Sequence, residues 1–358
     1  MSKEFEYKNL IAFHPGTYVE ELVNDLNITQ SEFAERLGTS AKTVSKIING
    51  EDRISRELAN KLSKLSGISV QTWLNLQANY DAKVIEITEN MSNDESKIAG
   101  LIDISSLKKN KFIENKRYKL EEKIAILRKL LNWENIANLA EFNTSISYRR
   151  SENINERSIV NSNVMLELAS NEARSISSKP YNKEELERQL PLIKNMIAQQ
   201  PNDFFPSLKA KLQEAGIVLI AMPAFQGAGL NGATKKFKDG SVLLTITDKN
   251  KDSDIFWFSL LHEIGHIYHG DFSSNFENDE YKEKEQKANI FAANFLISES
   301  EYIKFVDKND FTEYSICKFA KENNTLPGIV VGRLQNDRYI EYKDFYYLKN
   351  QYSITNWL

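Results

Sequence analysis

Three of the chain's four histidines lie within eight residues, and a glutamate directly follows the first of them. His262 and His266 are four positions apart, so on a helix both rings project from one face and can reach a single cation. Glu263 lies beside the first ring, close enough to accept a proton from a water that the metal activates. The spacing His-Glu-x-x-His is typical of zinc-dependent peptide hydrolysis. The sequence therefore predicts a helix that carries two zinc ligands and a general base.

The residues around these histidines are almost all apolar, which indicates that the helix is buried. Two imidazoles and a carboxylate in a core need a partner that offsets their lost hydration, and a metal ion is the simplest one. A single buried histidine would more often be an ordinary core residue. The apolar positions are Ile255, Phe256, Trp257, Phe258, Leu260, Leu261, Ile264 and Ile267.

A catalytic zinc usually has three protein ligands and one open position, so a third ligand is expected elsewhere in the chain. Downstream, an apolar stripe predicts a second helix. Glu285 lies one turn before this stripe and can face inward, whereas Glu283 lies about 200° away and should face water. We predict one zinc ion per chain, bound by His262, His266 and Glu285. Asn289 shares the face of Glu285 and could accept the free ring N–H of a ligand histidine. The stripe consists of Ala288, Phe291, Ala292, Phe295 and Leu296.

With these ligands, Glu263 is the predicted general base, which takes a proton from water and later delivers it to the leaving amine. Tyr268 and His269 could stabilise the oxyanion or contact substrate, but a packing or surface role is equally compatible with the sequence. A purely structural metal is disfavoured, because closed zinc sites use four protein ligands, often sulfur, and Cys317 is the only cysteine.

The segment from Thr29 to Glu51 predicts two short helices around a tight turn. Thr29 is a helix cap with Glu32 three residues later, and Gly38 ends that helix. The outer face of the second helix is small, polar or cationic, as in a recognition helix that enters the major groove of DNA. The alternative is an all-helical domain with a solvated face. The candidate DNA-binding residues are Ser40, Lys42, Thr43, Ser45, Lys46 and Asn49, with Gln30 and Arg53 as candidate phosphate contacts.

The composition is ordinary, with 358 residues, 41% hydrophobic and 27% charged residues, and a net charge of −4. The length suggests two or three domains, and the charge balance supports neither wholesale nucleic-acid affinity nor a membrane-surface role. No apolar run approaches a membrane span, the N-terminal residues do not form a signal peptide, and one cysteine excludes an internal disulfide. We therefore expect a cytoplasmic protein with no membrane partner.

The pattern of the chain predicts an α+β fold that is mostly helical, with a small sheet in a zincin-like C-terminal domain. Branched, buried runs at 216–223 and 241–247 predict strands. Residues 227–232 predict a turn beside a strand edge; a peptide could add to that edge by main-chain pairing, but a plain hairpin turn is favoured. The predicted domains are 1–90 (helix-turn-helix), 91–200 (helical spacer) and 201–358 (metallopeptidase). Short helices are expected over 10–85, further helices at 121–132 and 164–175, and an acidic loop from 270 to about 284.

Two sets of motifs resemble known families. The N-terminal set is similar to the HigA branch of the Cro/CI-type (XRE) repressors, and the C-terminal set resembles the ImmA/IrrE metallopeptidases. The first set is His14-Pro-Gly16, Thr29–Gly38, Ile47–Ile54 and Trp73–Tyr80; the second is Phe256–His266, Glu285–Ala293 and a tail at Pro327–Gln335. The middle segment with Tyr148-Arg-Arg-Ser151 resembles the spacer of such fusions and carries no motif with an assigned chemistry.

The resemblance implies a homodimeric repressor of a palindromic double-stranded DNA operator, fused to a zinc endopeptidase that cleaves a repressor or another partner protein. A second hypothesis makes the chain a HigA-type antitoxin that represses its operon and neutralises a toxin, with the peptidase fold as sensor or scaffold. The two functions can coexist.

Overall fold

A computed structural model describes residues 4–141, 147–150, 155–176, 179–199, 204–272 and 279–354. The chain divides into two compact units, Met1–Lys97 and Ile98–Leu358. Helices dominate both units and the second also contains a mixed sheet, which confirms the predicted α+β class. None of the described helices is both long and apolar enough to cross a membrane. The predicted division into three domains stays a prediction.

The first unit begins with a two-stranded antiparallel hairpin and continues as helices. The second strand of the hairpin, Leu10–Phe13, differs from the sequence prediction, which has short helices separated by tight turns over residues 10–85. Its first strand alternates exposed and half-buried positions, and Lys8 makes the turn with a left-handed φ of 55°. The elements are β1 (Glu4–Tyr7), β2 (Leu10–Phe13), α1 (Gly16–Asp25), α2 (Gln30–Leu37), α3 (Ala41–Ile48), α4 (Arg56–Ser66) and α5 (Val70–Leu101), the last of which ends in the second unit.

The second unit places ten helices and four strands in the described residues. The helices predicted at 121–132 and 164–175 correspond to α7 and to part of α8. The helices are α6 (Ile104–Lys109), α7 (Leu120–Leu131), α8 (Glu156–Ile176), α9 (Lys183–Gln199), α10 (Phe204–Glu214), α11 (Ser253–His269), α12 (Asp279–Leu296), α13 (Glu299–Asp307), α14 (Glu313–Glu322) and α15 (Pro327–Asn336). The strands are β3 (Ser147–Arg150), β4 (Ile217–Met222), β5 (Leu230–Lys236) and β6 (Val242–Thr247).

The four strands form one sheet in the order β3-β5-β6-β4. β4 and β6 are the two strands that the sequence predicts, and they pair in parallel, whereas β5 runs antiparallel to β6. Every residue of β4 and β6 is buried, because helices cover both faces of the sheet. Ile217, Leu219 and Ala221 of β4 join the core that contains α11, and the alternate residues Val218 and Ile220 join the core that contains α8.

Helix α12 begins earlier than the sequence predicts. The acidic loop is expected to reach about residue 284, but the helix already starts at Asp279; residues 273–278 of the predicted loop lie outside the described residues. Acidic residues in a first helical turn are favourable, because they interact with the partial positive charge of the helix N-terminus. The acidic composition therefore marks a helix start as well as a loop.

Candidate metal centre and DNA-reading helices

Helix α11 is the buried helix that the sequence predicts. It lies against β5 and β6, and Trp257, Leu260, Leu261 and Ile264 are fully buried in its core. Gly270 ends it with a left-handed φ of 75°, a conformation that a glycine adopts at little cost. Its polar residues are buried as deeply as its apolar ones: the exposed fraction is 1% for His262, 0% for Glu263 and 1% for His266.

The third predicted ligand reaches the histidines because α12 packs very closely on α11. A Cβ at Gly265 would lie 3.0 Å from the Cα of Ala288, so the absence of a side chain lets the two backbones approach. One Glu285 carboxylate oxygen lies 3.3 Å from His262 Nε2 and the other 3.1 Å from His266 Nε2. The two Nε2 atoms are 3.1 Å apart.

These three side chains fit a zinc ion. Their ligand atoms lie within 4.8 Å of one another, and two nitrogens with one carboxylate form the donor set of a catalytic zinc. Donor atoms about 2.0–2.2 Å from one zinc in tetrahedral geometry lie about 3.4 Å apart, close to the separations of 3.1 and 3.3 Å found here. The described residues thus provide three ligands, which is one fewer than a closed zinc site uses.

The carboxyl group of Glu285 is held in its charged form. Burial alone would raise its pKa, but hydrogen bonds and charge interactions with His262 and His266 outweigh burial and lower the pKa to about 2. A carboxylate that stays charged is ready to bind a divalent cation.

Asn289 lies where the sequence predicts, one turn after Glu285. Its Oδ1 is 3.0 Å from His262 Nδ1, so the ring N–H can donate to it and leave Nε2 as the ligand atom. The corresponding nitrogen of the second histidine, His266 Nδ1, is buried and has no hydrogen-bond partner among the described residues. The amide therefore fixes the orientation of one ligand ring and not of the other.

Glu263 lies against β5, a contact that the sequence pattern does not predict. A Cβ at Gly232 would be 2.8 Å from Glu263 Cγ and 3.0 Å from its Oε1, so the strand backbone approaches the carboxylate closely. A glycine within a strand is a known sign of such an approach, but the sequence pattern places Gly232 in a turn. The predicted turn is confined to the residues before β5, which begins at Leu230.

The side-chain contacts of Tyr268 and His269 include residues of α9 and α12. The hydroxyl of Tyr268 donates to Glu187 on α9 over 3.0 Å, and this bond raises the pKa of the phenol. His269 packs beside Tyr268 and Phe291, and burial lowers the pKa of its imidazole. Their proposed contact with substrate or oxyanion stays a prediction.

The two helices predicted to read DNA form as expected. Thr29 accepts a hydrogen bond from the N–H of Glu32 and caps α2, and Gly38 ends that helix with a left-handed φ of 65°. Ser40 caps α3 by accepting from the N–H of Thr43. Each cap satisfies a backbone donor that the helix leaves free. The buried seam consists of Phe33, Ala34, Leu37, Val44, Ile47 and Ile48.

The motif His14-Pro-Gly16 fixes the end of α3 against the start of α1. His14 Nδ1 accepts a hydrogen bond from Gly16 N–H, and the imidazole packs edge-on against Tyr80. A Cβ at Gly16 would lie 1.8 Å from the carbonyl oxygen of Ile47, so only glycine fits. This contact holds the C-terminal end of α3 in place within the first unit.

Several of the candidate DNA-binding residues contact one another. Gln30, Ser40, Lys42, Asn49 and Arg53 are exposed, and Thr43, Ser45 and Lys46 are half-buried. The Ser40 and Thr43 hydroxyls are hydrogen-bonded at 2.8 Å, and Asn49 donates to Ser45 over 3.4 Å. The guanidinium of Arg53 forms an ion pair with Asp81. The structure leaves their DNA contacts as a prediction.

Comparison with known proteins matches both halves of the chain. Residues 19–73 match a family model described as helix-turn-helix, and residues 213–324 match the IrrE N-terminal-like domain, a peptidase family model. The uncharacterized HTH-type transcriptional regulator YddM of Escherichia coli K12 is 35% identical over 78 residues, which cover 22% of this chain and 83% of that protein. Virulence-associated protein A' of Dichelobacter nodosus is 39% identical over 69 residues, 19% of this chain and 60% of that protein.

Two solved structures are similar to the N-terminal part. One is a putative antidote protein of a plasmid maintenance system from Nostoc punctiforme, with 33% identity and a TM-score of 0.23. The match covers 23% of this chain and 90% of that chain. The other is an addiction module antidote protein of a HigA family from Coxiella burnetii, with 34% identity and a TM-score of 0.20. The match covers 20% of this chain and 80% of that chain. At these TM-scores the likeness carries no argument about function.

Proposed function

Because this chain belongs to the helix-turn-helix transcriptional regulators of the XRE type and carries an IrrE N-terminal-like domain, we propose that it binds operator DNA and hydrolyses peptide bonds. The observation that carries the peptidase half is the convergence of His262, His266 and Glu285. Glu263 directly follows His262 on the same buried helix. The observation that supports the DNA-binding half is the capped helix pair α2–α3 with a polar outer face.

In this proposal, His262, His266 and Glu285 hold a zinc ion, and Asn289 orients the first ring. When bound, the zinc supplies a Lewis acid that polarises the scissile carbonyl and makes a water molecule more acidic. The partly exposed position of Glu285, at 21% side-chain exposure, leaves access to the site from that side.

Glu263 is the proposed proton carrier. Its carboxylate removes a proton from the attacking water, whose oxygen forms the new bond to the carbonyl carbon. As the C–N bond breaks, Glu263 returns this proton to the leaving nitrogen, so the products are one carboxylic acid and one amine. The side chain is fully buried and confined by Gly232, which restricts the positions that the carboxylate can take.

Substitution of Glu263 tests this mechanism directly. Zinc-loaded Glu263→Gln protein should keep its metal, because the residue is not a ligand, but should lose cleavage by a factor on the order of 10²–10⁴. Cleavage is measured on a proteome-derived peptide mixture by mass spectrometry of new termini, and zinc by elemental analysis. Glu283→Gln, an exposed change on α12, is the matched control and should cleave as the parent does. Equal cleavage by Glu263→Gln protein contradicts the mechanism.

The DNA-binding half is proposed to act as a homodimer on a palindromic operator. Helix α3 would enter the major groove, with Lys42, Thr43, Ser45 and Lys46 near base edges and phosphates. Footprinting upstream of the chain's own gene tests this, and a single protected half-site, in place of two related by symmetry, would contradict the dimer.

A second candidate function is supported by the HigA-like motif around His14, which the first unit uses to fix α3. In this alternative the chain represses its operon and neutralises a toxin, and the peptidase fold is a sensor or scaffold. The two functions differ in the effect of Glu263→Gln. If the chain acts as an antitoxin, the variant should keep both operator binding and toxin neutralisation. If the chain relieves repression by cleaving a protein, the variant should lose that relief.

A further inference from the structure

The edge of β5 that lies beside Glu263 is occupied by a strand of the same chain. β3 pairs antiparallel with β5, with Ser147 opposite Thr234, Tyr148 opposite Ala233 and Arg149 opposite Gly232. Gly232 is also the β5 residue whose backbone approaches Glu263 closely, since a Cβ added there would lie 2.8 Å from Glu263 Cγ. The backbone of β3 therefore passes one strand away from the proposed proton carrier.

The position of β3 beside β5 and its antiparallel direction are those expected of a peptide that binds by main-chain pairing. An extended peptide that adds to a sheet uses the unpaired N–H and C=O groups of an edge strand. Without β3, β5 would be that edge strand, because β6 covers its other side. Among the described residues, β3 is the strand that keeps this edge from receiving another polypeptide.

The pairing is short and irregular at the site. β3 has four residues, and it pairs with β5 alone. Arg150 is opposite Leu230 while Arg149 is opposite Gly232, so Asn231 is an extra residue on β5 and forms a bulge. A bulge interrupts the ladder and locally bends the strand, so β3 is held by fewer regular bonds than a long strand would be.

Both ends of the connection that carries β3 are fixed in the second unit. Asn163 donates to the carbonyl oxygens of Leu139 and Glu141, at 2.8 and 2.9 Å. At the other end, Asn155 accepts from Ser158 N–H and caps the start of α8. A strand tethered this closely competes with free peptides at an effective concentration on the order of millimolar.

We propose that β3 is an intramolecular pseudosubstrate: it occupies the β5 edge on which the site receives an extended peptide, and it must leave before another polypeptide can bind. This inference rests on the proposed peptidase function. It assigns the ligand class of the edge, an extended polypeptide antiparallel to β5, and it makes release of β3 the step that controls access.

The test measures binding without hydrolysis. In a zinc-loaded Glu263→Gln background, Tyr148→Pro/Arg149→Pro removes two backbone N–H groups from β3 and prevents its pairing. The probe is a fluorescein-labelled synthetic peptide with the sequence of residues 145–152. We expect the dissociation constant, measured by fluorescence anisotropy, to be at least about tenfold lower for the proline variant, because the edge is then free in most molecules.

The matched control is Tyr148→Ala/Arg149→Ala, which changes the same side chains but keeps both N–H groups, and it should bind the probe like the Glu263→Gln parent. Equal affinity of the proline variant and the parent overturns the proposal and makes β3 an ordinary structural strand. Loss of zinc from all these proteins would instead contradict the proposed peptidase function, so the two failures are distinguishable.

A second measurement needs no substitution in β3. Hydrogen exchange followed by mass spectrometry should show protected amides over residues 147–150 in the Glu263→Gln parent, and excess probe peptide should raise their exchange rate by displacing β3. The exchange of β6, which is buried between β5 and β4, should not change. Exchange of residues 147–150 that is unaffected by saturating peptide overturns the proposal even if the proline variant fails to fold.

Discussion

Replacing Asn289 with alanine removes the side-chain oxygen that lies 3.0 Å from His262 Nδ1. His262 is only 1% exposed, so its ring N–H then loses its partner in a largely buried position. Leaving a buried donor unsatisfied costs about 1–3 kcal/mol. Asn289 itself is exposed, and water can partly replace the amide, so we expect the lower part of this range, about 1–2 kcal/mol. This corresponds to a zinc dissociation constant roughly five- to thirtyfold higher.

The assay is a competition between the purified protein and a chromophoric chelator at fixed pH, which reports the zinc dissociation constant directly. Asn289→Asp keeps an acceptor oxygen and should bind zinc at least as tightly as the parent. Gln286→Ala, an exposed change on the same helix, controls for altered helix stability and should have no effect. If Asn289→Ala binds zinc as tightly as the parent, the amide does not orient His262, and the reasoning about the centre is wrong.

Three further predictions concern Gly232, Lys42 and Lys194. Gly232→Ala places a methyl group 2.8 Å from Glu263 Cγ, so the carboxylate must shift by a large fraction of an ångström, and peptide cleavage should fall by a factor on the order of 10², with zinc retained. Lys42→Ala should weaken operator binding and reduce the slope of log affinity against log salt by about 0.9, measured by fluorescence titration, because one phosphate contact is lost. Burial lowers the pKa of Lys194 to about 8 from 10.5, so between these pH values the unfolded chain binds the extra proton and the free energy of unfolding rises with pH. Lys194→Met should lack this rise, about 1–2 kcal/mol, in urea denaturation at several pH values.

Each of these has a control and a contradicting outcome. Gly100→Ala adds a methyl group into open space and should leave cleavage unchanged; a Gly232→Ala protein as active as this control would refute the steric argument. Lys64→Ala removes a charge from α4 and should leave the salt slope nearly unchanged. For Lys194, the free energy of unfolding of the parent is compared with that of Lys194→Met at each pH, because other groups also titrate at high pH. If the stability of the parent relative to the variant does not grow from about pH 8 to pH 10, the shifted pKa is contradicted.

The local patterns of the sequence predict which side chains converge at the candidate metal centre. A helix places residues four apart on one face, so the spacing of His262 and His266 already determines that their rings converge. The same periodicity selects Glu285 over Glu283 and places Asn289 one turn later, and the structure brings all four side chains together. The cap at Thr29 likewise depends on interactions within four residues, and it forms as predicted. Ser40 caps α3 in the same way.

Features that depend on distant pairing are not predictable in the same way. The hairpin β1–β2 and the pairing of β3 with β5 join strands whose sequence patterns are too short to identify a partner. The approach of Gly232 to Glu263 depends on how the sheet packs on α11, and no local pattern indicates that packing. Tyr268 lies about 120° around the helix from His262, which explains why it contacts α9.

The close approach of α11 and α12 at Gly265 also sets a size limit on the proposed metal centre. Two ligands belong to one helix and the third to the other, so the separation of the helix axes determines whether one ion can reach all three. That separation depends on Gly265, which carries a hydrogen atom where any other amino acid has its Cβ. A methyl group there would push Glu285 outward, so in the proposed centre a residue that never contacts the ion would favour one cation size over another.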